Sequence, residues 1–188
     1  MRVIAGTAGG RRLKAPPGRG TRPTADRVRE ALFSSIGAEI DGVDVLDLFA
    51  GSGALGIEAL SRGARWATFV ERDERAAAVV RDNLAAAGLS ERATVVRGDA
   101  AAFVSRSAGR RYAVVFCDPP YDTSLAAVTA LVEQLHAGDA LAPGGLVVVE
   151  RDRRDPQLGG GLPSQLLAVD RQRSYGDTVL LYLRAKDR

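Results

Sequence analysis

The sequence contains few of the residues that build disulfides and metal sites, with one cysteine and one histidine among 188 residues. A single cysteine excludes an internal disulfide and a cysteine-based zinc site, and it suits a reducing cytoplasm. With a single histidine as well, most metal-ligand sets and most nucleophile–histidine pairs lack a member, so we predict no metal. We expect Cys117 to be a core thiol and His136 to be a helix-surface residue.

Long apolar runs are missing too. No stretch approaches the roughly 20 apolar residues that a membrane-spanning helix needs, and the N-terminal residues contain no apolar signal-peptide region. The content of 46% hydrophobic and 26% charged residues is typical of a globular domain with a real core. We therefore expect a cytoplasmic protein with no membrane partner, and we predict a monomer.

Lysine is nearly absent, because Lys14 and Lys186 are the only lysines among 26 basic residues. Residues 1–30 hold eight basic and two acidic side chains, a net charge of +6, whereas the whole chain carries +3. The arginine guanidinium can donate two parallel hydrogen bonds to a phosphate. This basic N-terminal segment therefore predicts contact with a polyanion such as RNA. The predicted RNA-binding residues are Arg2, Arg11, Arg12, Lys14, Arg19 and Arg22.

The rest of the chain alternates short apolar strands with helical stretches, which indicates a parallel sheet covered on both faces. The predicted strands are Val43–Leu48, Trp66–Glu71, Thr94–Arg97, Tyr112–Cys117 and Leu146–Glu150. The predicted helices are one that Thr24 caps and that ends at Ile36, then Ala54–Arg62, Glu74–Ala87, Ala100–Ser107 and Ser124–Ala137. Two last strands, Leu166–Arg173 and Thr178–Arg184, predict an antiparallel hairpin at the sheet edge. We divide the chain into a basic N-terminal hairpin and helix, residues 1–40, and an α/β domain, residues 41–188.

The motif LDLFAGSGALG follows the first predicted strand. Gly51, Gly53 and Gly56 fit the pattern G-x-G-x-x-G between a strand and a helix, where glycines let the backbone approach a nucleoside-containing cofactor. Strand two ends at Glu71, whose carboxylate can accept both ribose hydroxyls, and strand three ends at Asp99, near where an adenine ring would lie. NAD and S-adenosylmethionine share this geometry, so the glycine motif alone leaves both cofactors open.

Asp47 favours S-adenosylmethionine. It precedes Gly51 by four residues, where its carboxylate can meet the ammonium of a methionine moiety through the backbone or water, whereas a dinucleotide pyrophosphate would be repelled. The predicted cofactor-binding residues are Asp47, Phe49, Gly51, Gly53, Glu71, Arg72, Asp99, Ala100 and Asp118.

A second motif, DPPY, follows the fourth predicted strand at residues 118–121. Prolines cannot donate to a sheet ladder, so one interpretation is a rigid turn that carries polar residues. The other is a site for a planar amine, in which Asp118 and the Pro119 carbonyl accept its two N–H groups. Pro119 and Pro120 hold these acceptors rigidly, and Tyr121 can stack on a flipped base. We predict these four residues as catalytic.

The order of these motifs resembles that of the RsmD family, the bacterial 16S ribosomal RNA guanine-N2 methyltransferases. The resemblance covers nearly the whole chain and is carried by MRVIAGTAGGRRLKAPPG, TRPTADRVREALF, LDLFAGSGALGIEALSRGA, FVERD, DPPY and RSYGDTVLLYLR. It implies a Rossmann-like class I S-adenosylmethionine-dependent methyltransferase, with a mostly parallel seven-stranded sheet, a C-terminal antiparallel hairpin and a small basic N-terminal extension. It also implies a guanine in 16S rRNA, in the small ribosomal subunit or its assembly intermediate, as the target. The start uses arginine where the family is usually richer in lysine, which keeps phosphate contact.

Three alternatives stay open. The tetrapeptide also suits an adenine-N6 methyltransferase acting on DNA or RNA, although about 40 residues before the core offer little protein for sequence-specific recognition of a duplex. An NAD-dependent oxidoreductase would bind the other cofactor. A non-catalytic RNA-binding protein would have no need of Asp118.

Overall fold

In a computed structural model of the protein, residues 1–16, 26–107, 109–120, 122–162 and 164–186 are described. The strands are β1 (Asp44–Asp47), β2 (Trp66–Glu71), β3 (Ala93–Arg97), β4 (Tyr112–Cys117), β5 (Leu141–Asp152), β6 (Leu167–Tyr175) and β7 (Thr178–Ala185). The α-helices are α1 (Asp26–Ile36), α2 (Ala54–Ser61), α3 (Glu74–Ala87), α4 (Ala100–Val104) and α5 (Leu125–Ala137). Thr24, the expected cap of the first helix, lies outside the described residues.

The strands form one seven-stranded sheet in the order β3-β2-β1-β4-β5-β7-β6. Strands β1 to β5 pair in parallel with one another, whereas β7 runs antiparallel to both β5 and β6. The predicted fold class, a mostly parallel sheet with a C-terminal antiparallel hairpin, is confirmed. The chain order reverses between β1 and β4, and ligands of open α/β sheets bind outside the carboxyl ends of the strands at such a point.

Each face of the sheet is covered by its own group of helices. Helices α1, α2 and α3 pack on one face in a core that includes Phe33 and Val80. Helices α4 and α5 cover the other face in a core that includes Leu135. Consecutive residues of β1 alternate between these cores, with Val45 in the first and Leu46 in the second, as the two-residue period of a strand requires.

Residues 1–16 form a short hairpin beside α2. One antiparallel bridge joins Arg2 and Arg12, and the Val3 N–H donates to the Arg11 carbonyl at 2.9 Å. Its apolar side chains that are buried in the core of α1, α2 and α3 are Val3, Ala8 and Leu13. The hairpin therefore shares a core with the sheet, while the division of the chain at residue 40 stays a prediction.

Buried Glu58 of α2 anchors this hairpin. Its carboxylate accepts hydrogen bonds from the backbone N–H groups of Ile4 (2.7 Å) and Ala5 (3.1 Å). Arg62 Nε donates to the same carboxylate at 2.7 Å, and Arg29 Nε lies 3.7 Å from it. Because a buried carboxylate is costly without such partners, Glu58 fixes where the hairpin lies along α2.

The structure corrects some expectations about single elements. β5 starts at Leu141, earlier than expected, and α4 ends at Val104, earlier than expected. Cys117 is buried as expected, but His136 is only 6% exposed, so its predicted surface position is wrong. His136 follows Val132 by one helical turn and therefore lies on the apolar stripe of α5 that packs against the sheet.

Candidate active site

The candidate site lies where the strand order reverses, at the carboxyl ends of β1 and β4. The loop that follows β1 is tied to both neighbouring strands. The Leu48 N–H donates to the Phe116 carbonyl at 3.0 Å, and the Ala50 N–H donates to the Val70 carbonyl at 3.0 Å. These bonds continue the sheet pairing beyond the end of β1. They fix the start of the glycine loop, which is residues 48–53 between β1 and α2.

Two glycines make the turn from β1 into α2. Gly51 and Gly53 have φ angles of 55° and 79°, in the left-handed region that favours glycine. Gly56 serves helix packing instead, because a Cβ at this position would lie 2.3 Å from the ring of Phe69. The motif thus provides a tight turn and a close approach of α2 to β2, as cofactor-binding α/β folds require.

A cavity of about 160 Å³ lies beside this loop. Five residues predicted to bind the cofactor line it: Phe49, Glu71, Arg72, Asp99 and Ala100. The predicted catalytic Pro120 lines it as well. The predicted cofactor residues outside its lining are Asp47, Gly51, Gly53 and Asp118. The cavity thus connects the ends of β2 and β3 with the DPPY segment.

The apolar part of the lining was missed by sequence reasoning. Leu48 and Val70 line the cavity. Each is next to a predicted polar residue at the end of a strand, so its position in the sequence could have predicted it as a lining residue. Thr123 and Leu131 come from the segment after DPPY and from α5, and no local pattern marks them. These side chains give the cavity the apolar wall that cofactor sites usually have.

Glu71 connects the cavity to the glycine loop. One carboxylate oxygen accepts a hydrogen bond from the Gly51 N–H and the other accepts one from the Asp73 N–H, both at 2.8 Å. A carboxylate oxygen has two acceptor positions, so each oxygen can still accept a ribose hydroxyl. Glu71 therefore orders the loop and retains the capacity predicted for it.

Asp99 begins α4 and lines the same cavity. Its Oδ1 accepts hydrogen bonds from the N–H groups of Ala101 (2.9 Å) and Ala102 (3.3 Å), which is the usual arrangement of a helix N-cap. This bonding fixes the carboxylate at the mouth of the cavity. Its predicted place near an adenine ring stays a prediction.

Asp47 is buried beneath the glycine loop, with 1% of its surface exposed. Its Oδ2 accepts a hydrogen bond from the Gly56 N–H at 3.2 Å, and its Oδ1 has no hydrogen-bond partner among the described residues. Burial, more than the charge of Glu71, raises the pKa of Asp47 to about 7. A nearby cation would favour the ionised form of such a group.

Together, residues 118–120 of the DPPY segment line both the cavity and a small polar recess. Asp118 is exposed, Pro119 is buried and Pro120 lines the cavity, while Tyr121 lies outside the described residues. The recess is lined by Asp118, Pro119, Glu150, Arg151, Asp152, Asp177 and Thr178. The turn between β6 and β7 therefore lies beside the predicted catalytic segment. Tyr175, at the end of β6, is partly buried against the core of α1, α2 and α3.

Arg151 holds the turn after DPPY and was not predicted from the sequence. It is 6% exposed, its Nε donates to Asp155 at 2.6 Å and its NH1 donates to the Thr123 carbonyl at 2.6 Å. The Thr123 N–H in turn donates to the Pro120 carbonyl at 2.9 Å. Asp155 is only four residues away, but the Thr123 carbonyl belongs to the backbone 28 residues away, so no sequence pattern marks the role of Arg151 in holding this turn.

The basic residues predicted to bind RNA have different surroundings. Lys14 Nζ lies 3.0 Å from Asp82, and Arg2 Nε lies 4.0 Å from Asp26. The remaining members of that set in the hairpin are exposed and are Arg11 and Arg12. Arg19 and Arg22 lie outside the described residues. RNA contact by this set stays a prediction.

Among the described residues, no helix is long and apolar enough to cross a membrane. No group of three or more histidine, cysteine, aspartate or glutamate side chains in these ranges is arranged to hold a metal ion.

The fold and the arrangement of this site define the chain as a Rossmann-like class I methyltransferase. A solved structure described as a putative methyltransferase, yhhF, from Escherichia coli matches with a TM-score of 0.83 and 34% identity, covering 100% of this chain and 99% of that chain. A family profile described as "Conserved hypothetical protein 95" matches residues 1–184. The chain belongs to this family, the RsmD family that its motifs resemble.

Curated relatives agree with this assignment. The chain is 42% identical over 188 residues to the putative rRNA methyltransferase YlbH of Bacillus subtilis. This alignment covers 97% of the chain and 98% of the relative. It is 39% identical over 164 residues to the ribosomal RNA small subunit methyltransferase D of Escherichia coli K12, covering 87% of this chain and 78% of the relative. The predicted family is confirmed, and so is the prediction of an S-adenosylmethionine-dependent methyltransferase.

Proposed function

We propose that this protein transfers a methyl group from S-adenosylmethionine to the exocyclic N2 of a guanine in 16S ribosomal RNA. The observation that carries the proposal is the position of DPPY, with Pro120 on the cofactor cavity and Asp118 and Pro119 on the adjacent recess. A planar amine held by Asp118 lies next to a cofactor in the cavity. The relatives named as rRNA methyltransferases support RNA as the substrate class.

Three carboxylates hold the cofactor in this proposal. Glu71 accepts the ribose hydroxyls with the acceptor positions that Gly51 and Asp73 leave open. Asp99 meets the edge of the adenine ring from the mouth of the cavity, which it lines. Asp47 meets the methionine ammonium, and its ionised form is then stabilised by the cation.

The catalytic residues position the amine. S-adenosylmethionine supplies an electrophilic methyl group when bound. The guanine amine is a poor nucleophile because its lone pair is delocalised into the ring. Asp118 and the Pro119 carbonyl accept its two N–H groups, which favours a pyramidal nitrogen with its lone pair toward the methyl group. The C–N bond forms as the C–S bond breaks, and the cationic amine then loses one proton to water.

The proposed partner is 16S rRNA within the small subunit or its assembly intermediate. Exposed Arg11 and Arg12 contact its phosphates, and Tyr121 stacks on the flipped base. A folded RNA presents the target by shape. We propose that the enzyme acts on this particle as a monomer, in the cytoplasm where ribosomal particles are assembled.

Nucleoside mass spectrometry of 16S rRNA from a deletion strain tests the function. We expect one N2-methylguanosine to be lost and to return when the wild-type gene is supplied, but not when Asp118→Ala is supplied. An unchanged content of N2-methylguanosine in the deletion strain contradicts the proposal. Loss of N6-methyladenosine instead would assign the enzyme to adenine-N6 methylation.

A further inference from the structure

Asn83 joins the N-terminal hairpin to the glycine loop. It lies in α3 with 1% of its surface exposed. Its Oδ1 accepts a hydrogen bond from the Lys14 N–H at 2.8 Å, and its Nδ2 donates to the carbonyls of Lys14 (3.0 Å) and Ser52 (2.9 Å). The Asn83 amide thus makes two hydrogen bonds to the backbone of Lys14, as a residue of a neighbouring strand would. The second Nδ2 hydrogen is donated to the carbonyl of Ser52, between Gly51 and Gly53.

The glycine loop is held by α3 and the hairpin together. Val80 precedes Asn83 by three residues and so lies on the same helical face, and a Cβ on Gly53 would come within 3.0 Å of Val80. The Ser52 hydroxyl lies 3.5 Å from the sulfur of Met1. The loop conformation therefore depends on both elements, and Asn83 is the side chain that bonds to both.

Contacts continue from this loop to the cofactor cavity. The Gly51 N–H, next to Ser52, donates to Glu71 at 2.8 Å, and Glu71 lines the cavity. At the other end, Lys14 follows Arg12 by two residues, and Arg12 is proposed to contact RNA. A series of hydrogen bonds and short chain segments thus connects the two proposed binding regions through Asn83.

We propose that Asn83 is a positioning residue that holds the glycine loop in its cofactor-binding conformation and makes cofactor binding and RNA binding favour each other. The proposed coupling to RNA binding rests on the proposed function, whereas the role of Asn83 in holding the glycine loop does not. A buried amide with three bonds cannot follow one partner without weakening its bonds to the other. By thermodynamic linkage, the factor by which RNA changes cofactor affinity equals the factor by which the cofactor changes RNA affinity.

Ser61 offers a matched control because it holds the same hairpin at a different point. Its Oγ accepts a hydrogen bond from the Ala8 N–H at 2.9 Å and donates to the Ala5 carbonyl at 2.5 Å. Ser61→Ala and Asn83→Ala both loosen the hairpin, so both should lower the midpoint of thermal unfolding. Only Asn83→Ala removes the bond to Ser52.

The first measurement is isothermal titration of the full-length protein with S-adenosylhomocysteine, without RNA. We expect binding to Asn83→Ala to be about tenfold weaker, which is ~1.4 kcal/mol and within the range for a lost buried hydrogen bond, while Ser61→Ala binds like the wild type. Equal affinity of Asn83→Ala and wild type overturns the positioning role. Equal weakening in both variants also overturns it, because loosening of the hairpin would then be the cause. If Asn83→Ala does not fold, Asn83→Ser takes its place.

The second measurement repeats the titration with saturating small-subunit particles from a strain that lacks the enzyme. We expect the particles to tighten S-adenosylhomocysteine binding about fivefold in the wild type and in Ser61→Ala, and to have almost no effect in Asn83→Ala. No tightening in the wild type overturns the coupling. If the enzyme acts on another substrate, the titration without RNA still decides the positioning role of Asn83.

Discussion

Replacing Asp47 with asparagine should remove a pH dependence that the wild-type protein shows in stability and in cofactor binding. Burial first, and then the charge of Glu71, raise the pKa of Asp47 from 3.8 to about 7, against the hydrogen bond from Gly56, which lowers it. Between these two pH values the native protein holds a proton that the unfolded chain has lost. The free energy of unfolding should therefore fall as the pH rises from about 4 to about 7.

The structure also gives the size of the effect. A pKa change from 3.8 to about 7 corresponds to ~4 kcal/mol in the free energy of unfolding across that pH interval. Asparagine has nearly the same shape and can still accept the Gly56 N–H, but it does not titrate. Cofactor binding should have the opposite slope, because the proposed ammonium partner needs an ionised carboxylate. As the pH is lowered below about 7, the affinity for S-adenosylmethionine should fall by up to about tenfold per pH unit.

Urea unfolding and isothermal titration with S-adenosylmethionine, both at several pH values between about 5 and 7, measure the two slopes. The wild type should lose stability and gain affinity as the pH rises, and Asp47→Asn should show much flatter profiles for both. Identical pH profiles for the two proteins, in stability and in binding, would refute the assignment of this titration to Asp47.

Three further predictions concern other parts of the site. Glu71→Ala should weaken S-adenosylmethionine binding in isothermal titration, because two charge-assisted bonds to ribose hydroxyls are lost; tight binding of NAD without S-adenosylmethionine would contradict the cofactor assignment. Asp118 was also predicted to bind the cofactor, but it lies outside the lining of the cavity, so Asp118→Ala should leave cofactor affinity nearly intact. It should slow methyl transfer by about 100-fold or more, and a wild-type rate would rule out the amine-positioning role. Replacing Arg11, Arg12 and Lys14 with alanine should weaken particle binding and lower its salt dependence by about 0.7–0.9 log unit per lost phosphate contact; unchanged binding would place the RNA contact elsewhere.

The sheet could be predicted from the sequence because local patterns determine most of it. Strands β2 and β4 were predicted with the bounds that the structure has, since a short apolar run between turn signals is typical of a buried parallel strand. The last two strands follow each other without a helix, and they pair as the expected antiparallel hairpin. The predicted surface position of His136 is wrong, because His136 follows Val132 by one helical turn on the buried apolar stripe of α5, and this local pattern marks it.

The support of the candidate site could not be predicted, because it depends on contacts between distant parts of the chain. Asn83 bonds to Lys14, 69 residues away, and Arg151 bonds to Thr123, 28 residues away. An isolated asparagine in a helix or an arginine near the end of a strand carries no signal of such a partner. The motif residues Gly51 and Glu71 were easier to predict, because their spacing after two consecutive strands reflects a shared edge of the sheet.

The most direct test of the proposed activity is methyl incorporation from labelled S-adenosylmethionine into small-subunit particles, naked 16S RNA and duplex DNA, followed by digestion to nucleosides. The purified wild-type protein should give N2-methylguanosine from the particles, more than from naked RNA, and Asp118→Ala should give at least about 100-fold less. N6-methyladenine as the labelled product, from DNA or RNA, would contradict guanine-N2 as the target.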